Sequence, residues 1–150
     1  MLRTYRISVS ALRWLRTLAE RAQKSGQREI GGLIVSEDGE RLKLVYLSNE
    51  ALRPCQFLIS EKSHKSAVNR VHEQGMQVLG DFHSHPISEA IPGPRDIQMA
   101  KSGSLMLIYD VCGRQARLWE IRASKGRRHP RELALESRSP TSLSGKGVAR

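Results

Sequence analysis

Two histidines lie one residue apart in Gly80-Asp81-Phe82-His83-Ser84-His85-Pro86, and Asp96 follows eleven residues after the second. On an extended segment residues i and i+2 project to the same side, so His83 and His85 can share one metal ion. Val78 and Leu79 lead into them as a short apolar run, and Pro86, which cannot donate to a sheet ladder, predicts the end of a strand. Ile87 to Gly93 turns the chain back. Pro94 suits the first position of a helix, which puts Asp96 in a first turn where free N–H groups and the helix dipole favour a carboxylate. Two imidazoles, one carboxylate and an open fourth position make the ligand count of a catalytic rather than a structural zinc site.

With a Glu upstream, His-Ser-His-Pro, and an Asp eleven residues beyond, the chain resembles the JAMM motif of the MPN (Mov34/PAD-1) zinc metalloproteases of prokaryotic type. Glu29-Ile30-Gly31-Gly32-Leu33-Ile34-Val35 is similar to the family's Glu-x-x-Gly-Leu strand, and the resemblance runs from about Tyr5 to about Ile121. It implies a cytidine-deaminase-like MPN fold and a peptidase or isopeptidase. In it one zinc per chain is held by His83, His85 and Asp96, and Glu29 moves the proton. The implied substrate is an amide bond at the flexible C-terminal tail of a ubiquitin-like or sulfur-carrier protein, added as a strand at a sheet edge.

One position departs from the pattern. The family's serine, eight residues after the second histidine, is Gly93 here. Losing a side-chain oxyanion donor costs on the order of 10²–10³ in rate, whereas glycine remains a workable N-cap, so metal binding is expected to survive better than turnover. Ser88 on the loop is a candidate substitute donor; Ser84, between the ligands, points away from them. The alternative is a metal-binding, catalytically weak MPN domain acting as an interaction module. Gly93 favours that reading and Glu29 opposes it, because a scaffold needs no base facing a metal.

The elements that must position these groups follow from periodicity. Tyr5 to Val9 alternates like a short edge strand, Ser10 is placed to cap a helix with Leu12, Leu15, Leu18, Ala19 and Ala22 on one stripe, and Lys24 to Arg28 is a turn. Glu29 opens the next strand, whose Gly31 and Gly32 can admit a close backbone such as an extended peptide. Glu37-Asp38-Gly39-Glu40 is a hairpin turn, returning through Leu42 to Leu47. Phe57-Leu58-Ile59 is expected as a short strand, and Ser60 as the cap of a helix to about Glu73 that carries His64 and His72 as solvated residues rather than ligands. Leu105 to Tyr109 is a strand buried on both faces, partnered by Ala116 to Ile121. The sum is an α/β (α+β mixed) domain, a central mixed β-sheet flanked by helices, spanning 1–123.

From Arg122 to Arg150 there are eight basic against two acidic residues, much of the chain's net +10. Low hydrophobicity and serine, proline and glycine content predict a basic, disordered tail over 124–150, with at most a helical turn at Leu133-Ala134-Leu135. Nucleic-acid binding through that tail is a weaker expectation, since no interleaved aromatics accompany it. Cys55 and Cys112 show no metal or disulfide spacing, and no run of about 18 apolar residues or apolar leader is present, so a cytoplasmic protein without a membrane span is expected.

Overall fold

The computed structural model describes residues 3–139, and among these seven strands and three helices follow one another. They are β1 (Thr4–Ser8), α1 (Val9–Lys24), β2 (Gly31–Ser36), β3 (Arg41–Leu47), α2 (Glu61–Glu73), β4 (Gln77–His85), α3 (Pro94–Met99), β5 (Leu105–Asp110), β6 (Gln115–Ser124) and β7 (Arg127–Arg138). The strands form one mixed sheet in the order β1-β3-β2-β4-β5-β6-β7, closed on itself because β1 also pairs with β7.

Alternation along β4 and β5 sorts the sheet into two faces. Phe82, Leu105, Leu107 and Tyr109 point to one side, where Leu15 and Ala19 of α1 complete the main core. On the other side α2 lays Ala67 and Val71 over Leu33, Val35 and Leu47. Beside it, Ala90, Ala100 and Ile97 of the loop and α3 cover Met106, Ile108, Trp119 and Ile121. Burying each Leu, Ile, Val, Phe or Met side chain among these is worth about 1.5–3 kcal/mol. Between the two outer layers Asp81, His83 and His85 are left facing a gap.

Several expectations are corrected. β1 is not an edge strand, being paired on both sides, and the α1 cap is Ser8, whose Oγ accepts from Ala11 N–H at 3.0 Å, rather than Ser10. Phe57 to Ile59 is irregular: the Leu58 N–H goes to the side chain of Asn49 and its carbonyl to Glu50. Gly31 and Gly32 admit protein rather than peptide, since a Cβ on Gly31 would come within 2.7 Å of the Phe57 ring and of the Phe82 carbonyl, and one on Gly32 would overlap the Val45 carbonyl.

The boundary at residue 123 also fails. β7 runs to Arg138, paired with both β6 and β1, so the 124–150 tail and the helical turn at Leu133 give way to strand through that residue. Composition misled because the charges there are matched across strands: Arg117 holds Glu132 through two contacts at 2.8 and 2.7 Å, and Arg131 holds Glu120 at 3.0 Å, around a buried Leu133. The rest of the expected tail, 140–150, lies outside the described residues. Among the described residues no helix is long and apolar enough to cross a membrane.

Candidate metal centre

β4 ends with both imidazoles on its outer face, and α3 brings a carboxylate to meet them. His83 Nε2 and His85 Nε2 stand 3.0 Å apart, and each is 3.3 Å from Asp96 Oδ2. Each part is fixed locally. Gly93 caps α3 with extended backbone, its N–H donating to Asp96 Oδ2 at 2.8 Å, so the carboxylate is aimed by its own helix start. The intervening loop is pinned by Trp119 Nε1, which donates to the Ala90 carbonyl at 2.9 Å, and Pro86 is held through its carbonyl by Gln23. His85 Nδ1 lies 2.7 Å from the Glu89 carbonyl. A carbonyl only accepts, so Nδ1 carries the proton and Nε2 presents its lone pair to the cluster.

Three donor atoms mutually 3.0–3.3 Å apart fit a common cation. Ligands at about 2.0–2.1 Å around a tetrahedral ion stand roughly 3.3 Å from one another. Burial opposes charging His83, but the Asp96 carboxylate, with Asp81 and Glu29 behind it, more than offsets this and raises the imidazole's pKa. Burial opposes ionisation of Asp96, but His83 and His85 beside it, together with the Gly93 N–H, hold its carboxyl well below the usual carboxylate range.

Glu29 stands outside this triad of ligand atoms and lines the same cleft. Burial pushes its carboxyl above the ordinary value, against the pull of His83 and His85. Its backbone is clamped rather than its side chain. Ser84 turns to the opposite face of β4, where its Oγ accepts from Ile30 N–H at 2.9 Å and its N–H donates to the Ile30 carbonyl at 2.9 Å. Asn49 Nδ2 donates to the carbonyls of Glu29 at 2.9 Å and Gln56 at 2.7 Å, while its Oδ1 accepts from Ala51 and Leu58.

The cleft has a volume of about 670 Å³. The Gln56 to Ile59 segment and His64 form one wall, Arg95, Met99 and Ala100 of α3 the other, with Leu33, Asp81 and Met106 on the floor. Ser88 lines it too, exposed on the loop, and Gly93 sits at its edge. Sequence reasoning missed Asp81, although the i, i+2 alternation that selected the histidines places it on the same face. Its carboxylate makes no hydrogen bond or ion pair among the described residues, and burial raises its pKa against the influence of His83. It also missed Asn49, for which no local pattern exists, because its four partners belong to loops.

The family model for prokaryotic homologs of the JAB domain matches residues 11–122. The chain belongs to this family. Solved structures carry the JAB fold at low identity. A solution structure of a protein from Desulfitobacterium hafniense is 23% identical, with 91% of this chain and 96% of that one covered and a TM-score of 0.70. A crystal structure of a JAB1/MPN domain protein from Archaeoglobus fulgidus is 18% identical, covers 89% and 98%, and has a TM-score of 0.51. Among curated proteins the chain is similar to a desampylase from Pyrococcus furiosus, 25% identical over 77 residues, which is 51% of this chain and 55% of that protein. The match thus spans about half the length of that relative.

Proposed function

We propose that this JAB-family chain is a zinc-dependent isopeptidase that hydrolyses an amide bond at the C-terminal tail of a ubiquitin-like or sulfur-carrier protein. The observation that carries it is the convergence of His83, His85 and Asp96 on one point, with the Glu29 carboxyl in the same cleft. Family membership and the likeness to a desampylase support the hydrolase class. Zinc held by His83, His85 and Asp96 would polarise the scissile carbonyl and acidify a water.

Glu29 takes the proton of the attacking water and returns it to the leaving amine. A carboxyl raised by burial is suited to both halves of that exchange, since an efficient acid–base catalyst has a pKa near the working pH. β2 and β4, the strands beneath the cleft, are paired on both sides, so the tail does not extend the sheet there. It lies instead along the cleft, between Leu58 and Met99, whose exposures of 52% and 76% leave apolar surface to cover.

The second reading, a catalytically weak module, is favoured by one observation: the Gly93 N–H is already committed to Asp96 and cannot replace the missing hydroxyl. The two are separated by incubating the zinc-loaded chain with a sulfur-carrier protein fused through its Gly-Gly tail to a reporter. Release of the intact tail, absent in Glu29→Gln, supports hydrolysis. No cleavage by either the natural chain or Gly93→Ser supports the module.

A further inference from the structure

We propose that the tip of the β6–β7 hairpin is a docking surface for the acidic face of the protein whose tail enters the cleft, an inference that rests on the proposed hydrolase only for the identity of that partner. From Arg122 to Arg131 the chain carries Arg122, Lys125, Arg127, Arg128 and Arg131 and no acid. The register places Arg122 opposite His129 and Ser124 opposite Arg127, so Arg122, Arg127 and His129 share one face. Residues 122–129 are all exposed. The nearest carboxylate on this ladder, Glu120, is occupied by Arg131 at 3.0 Å and Arg122 at 3.6 Å. Lys125 and Arg127 have no ion pair among the described residues.

The tip is not a loose arm. Arg128 donates to the carbonyls of Gln98 and Ala100 at the end of α3, and the turn after α3 is stitched to Ile121 by the Gly103 and Ile121 N–H groups. Because Ala100, Met99 and Arg95 line the cleft, basic surface continues from the tip through exposed Lys101 to the cleft wall. Like charges held together this way repel one another. An acidic partner relieves the repulsion and is steered to the cleft by the same field. A protein fits better than a nucleic acid. No Phe, Tyr or Trp lies between Arg122 and Arg131 to stack on bases, and exposed Met99, between Arg95 and Lys101, offers the apolar spot of a protein interface.

The test uses the full chain and three labelled probes: an acidic sulfur-carrier protein with a free Gly-Gly tail, the same protein with its surface carboxylates replaced by amides, and an oligothymidylate. Lys125→Glu/Arg127→Glu should weaken binding of the acidic carrier by about tenfold at low salt and much less at high salt, as expected of screened surface charges. It should leave the amide version unaffected. Arg70→Glu, an exposed change on α2, should alter binding less than about twofold, as a rim charge away from the interface does. An unchanged Kd for the acidic carrier overturns the proposal. So does a loss confined to the oligothymidylate, which assigns the surface to nucleic acid. Nothing is cleaved from a free tail, so a chain that hydrolyses no fusion yet shows the shift removes the hydrolase and keeps the surface, and a cleaving chain without the shift does the reverse.

Discussion

Two carboxylates line the same cleft and are treated in opposite ways. Asp96 is tied by the Gly93 N–H at 2.8 Å and by both imidazoles at 3.3 Å, and its pKa is driven down. Glu29 has its carbonyl held by Asn49 and the next residue, Ile30, held by Ser84, but its carboxylate makes no hydrogen bond among the described residues, and burial drives its pKa up. A ligand must be ionised and still, whereas a base must move a proton between two partners. If Asp96 is the ligand and Glu29 the base, as proposed, environment separates the two roles where residue type cannot.

The comparison is broken most severely from the Asp96 side. His83→Ala/His85→Ala should lose bound zinc and all hydrolysis, and elemental analysis of the purified protein checks it; retained zinc would contradict the donor set. Glu29→Gln sharpens the contrast by separating the two carboxylates: turnover should fall by about 10²–10⁴, the usual worth of a general base, with zinc content unchanged.

Gly93→Ser probes the cap between them. Its φ of −77° suits any residue, and a Cβ there would lie 3.6 Å from Asp96 Oδ2, an ordinary contact. Supplying the absent hydroxyl should raise kcat by up to about 10², the lower end of an oxyanion donor's worth, with the metal retained. Asn49→Ala works on the Glu29 side. Orphaning three part-buried backbone groups should cost about 1–3 kcal/mol in denaturant unfolding and lower kcat more than zinc content. An unchanged kcat would remove Asn49 from the positioning of Glu29.

The smallest effect is a slope with pH. In the metal-free chain the raised His83 contributes stability that is fully present below its unfolded value near 6.5 and lost as pH rises through its folded value. Glu29, also raised, has the same sign but its slope begins lower, above about 4.5, so it is His83 that should make the melting temperature fall from about pH 6 to about pH 8. Zinc needs neutral imidazoles, so its stabilisation should grow over the same interval. Parallel slopes with and without zinc would show that the imidazoles do not hold the ion.

What was legible in the sequence was what local pattern controls. The alternation through His83 and His85, Pro94 after a turn, and Ser60 as a cap each act within a few residues, and each holds in the structure. The family resemblance added Glu29, which no local pattern selects. What stayed hidden depends on distant partners. Arg131 and Glu132 look like solvated tail until Glu120 and Arg117 are seen opposite them. Asn49 is an ordinary loop residue until the loops it joins are folded, and Phe57 to Ile59 is apolar like a strand although its backbone is satisfied by Asn49 and Glu50. Asp81 could have been found, since it obeys the same two-residue period as the ligands.

The proposed function requires His83, His85 and Asp96 to surround one zinc ion within reach of Glu29. Anomalous diffraction at the zinc edge from zinc-loaded crystals tests it directly. A single strong peak per chain is expected at about 2.0–2.2 Å from both Nε2 atoms and an Asp96 carboxylate oxygen. A peak elsewhere, or none in crystals grown with excess zinc, would contradict it.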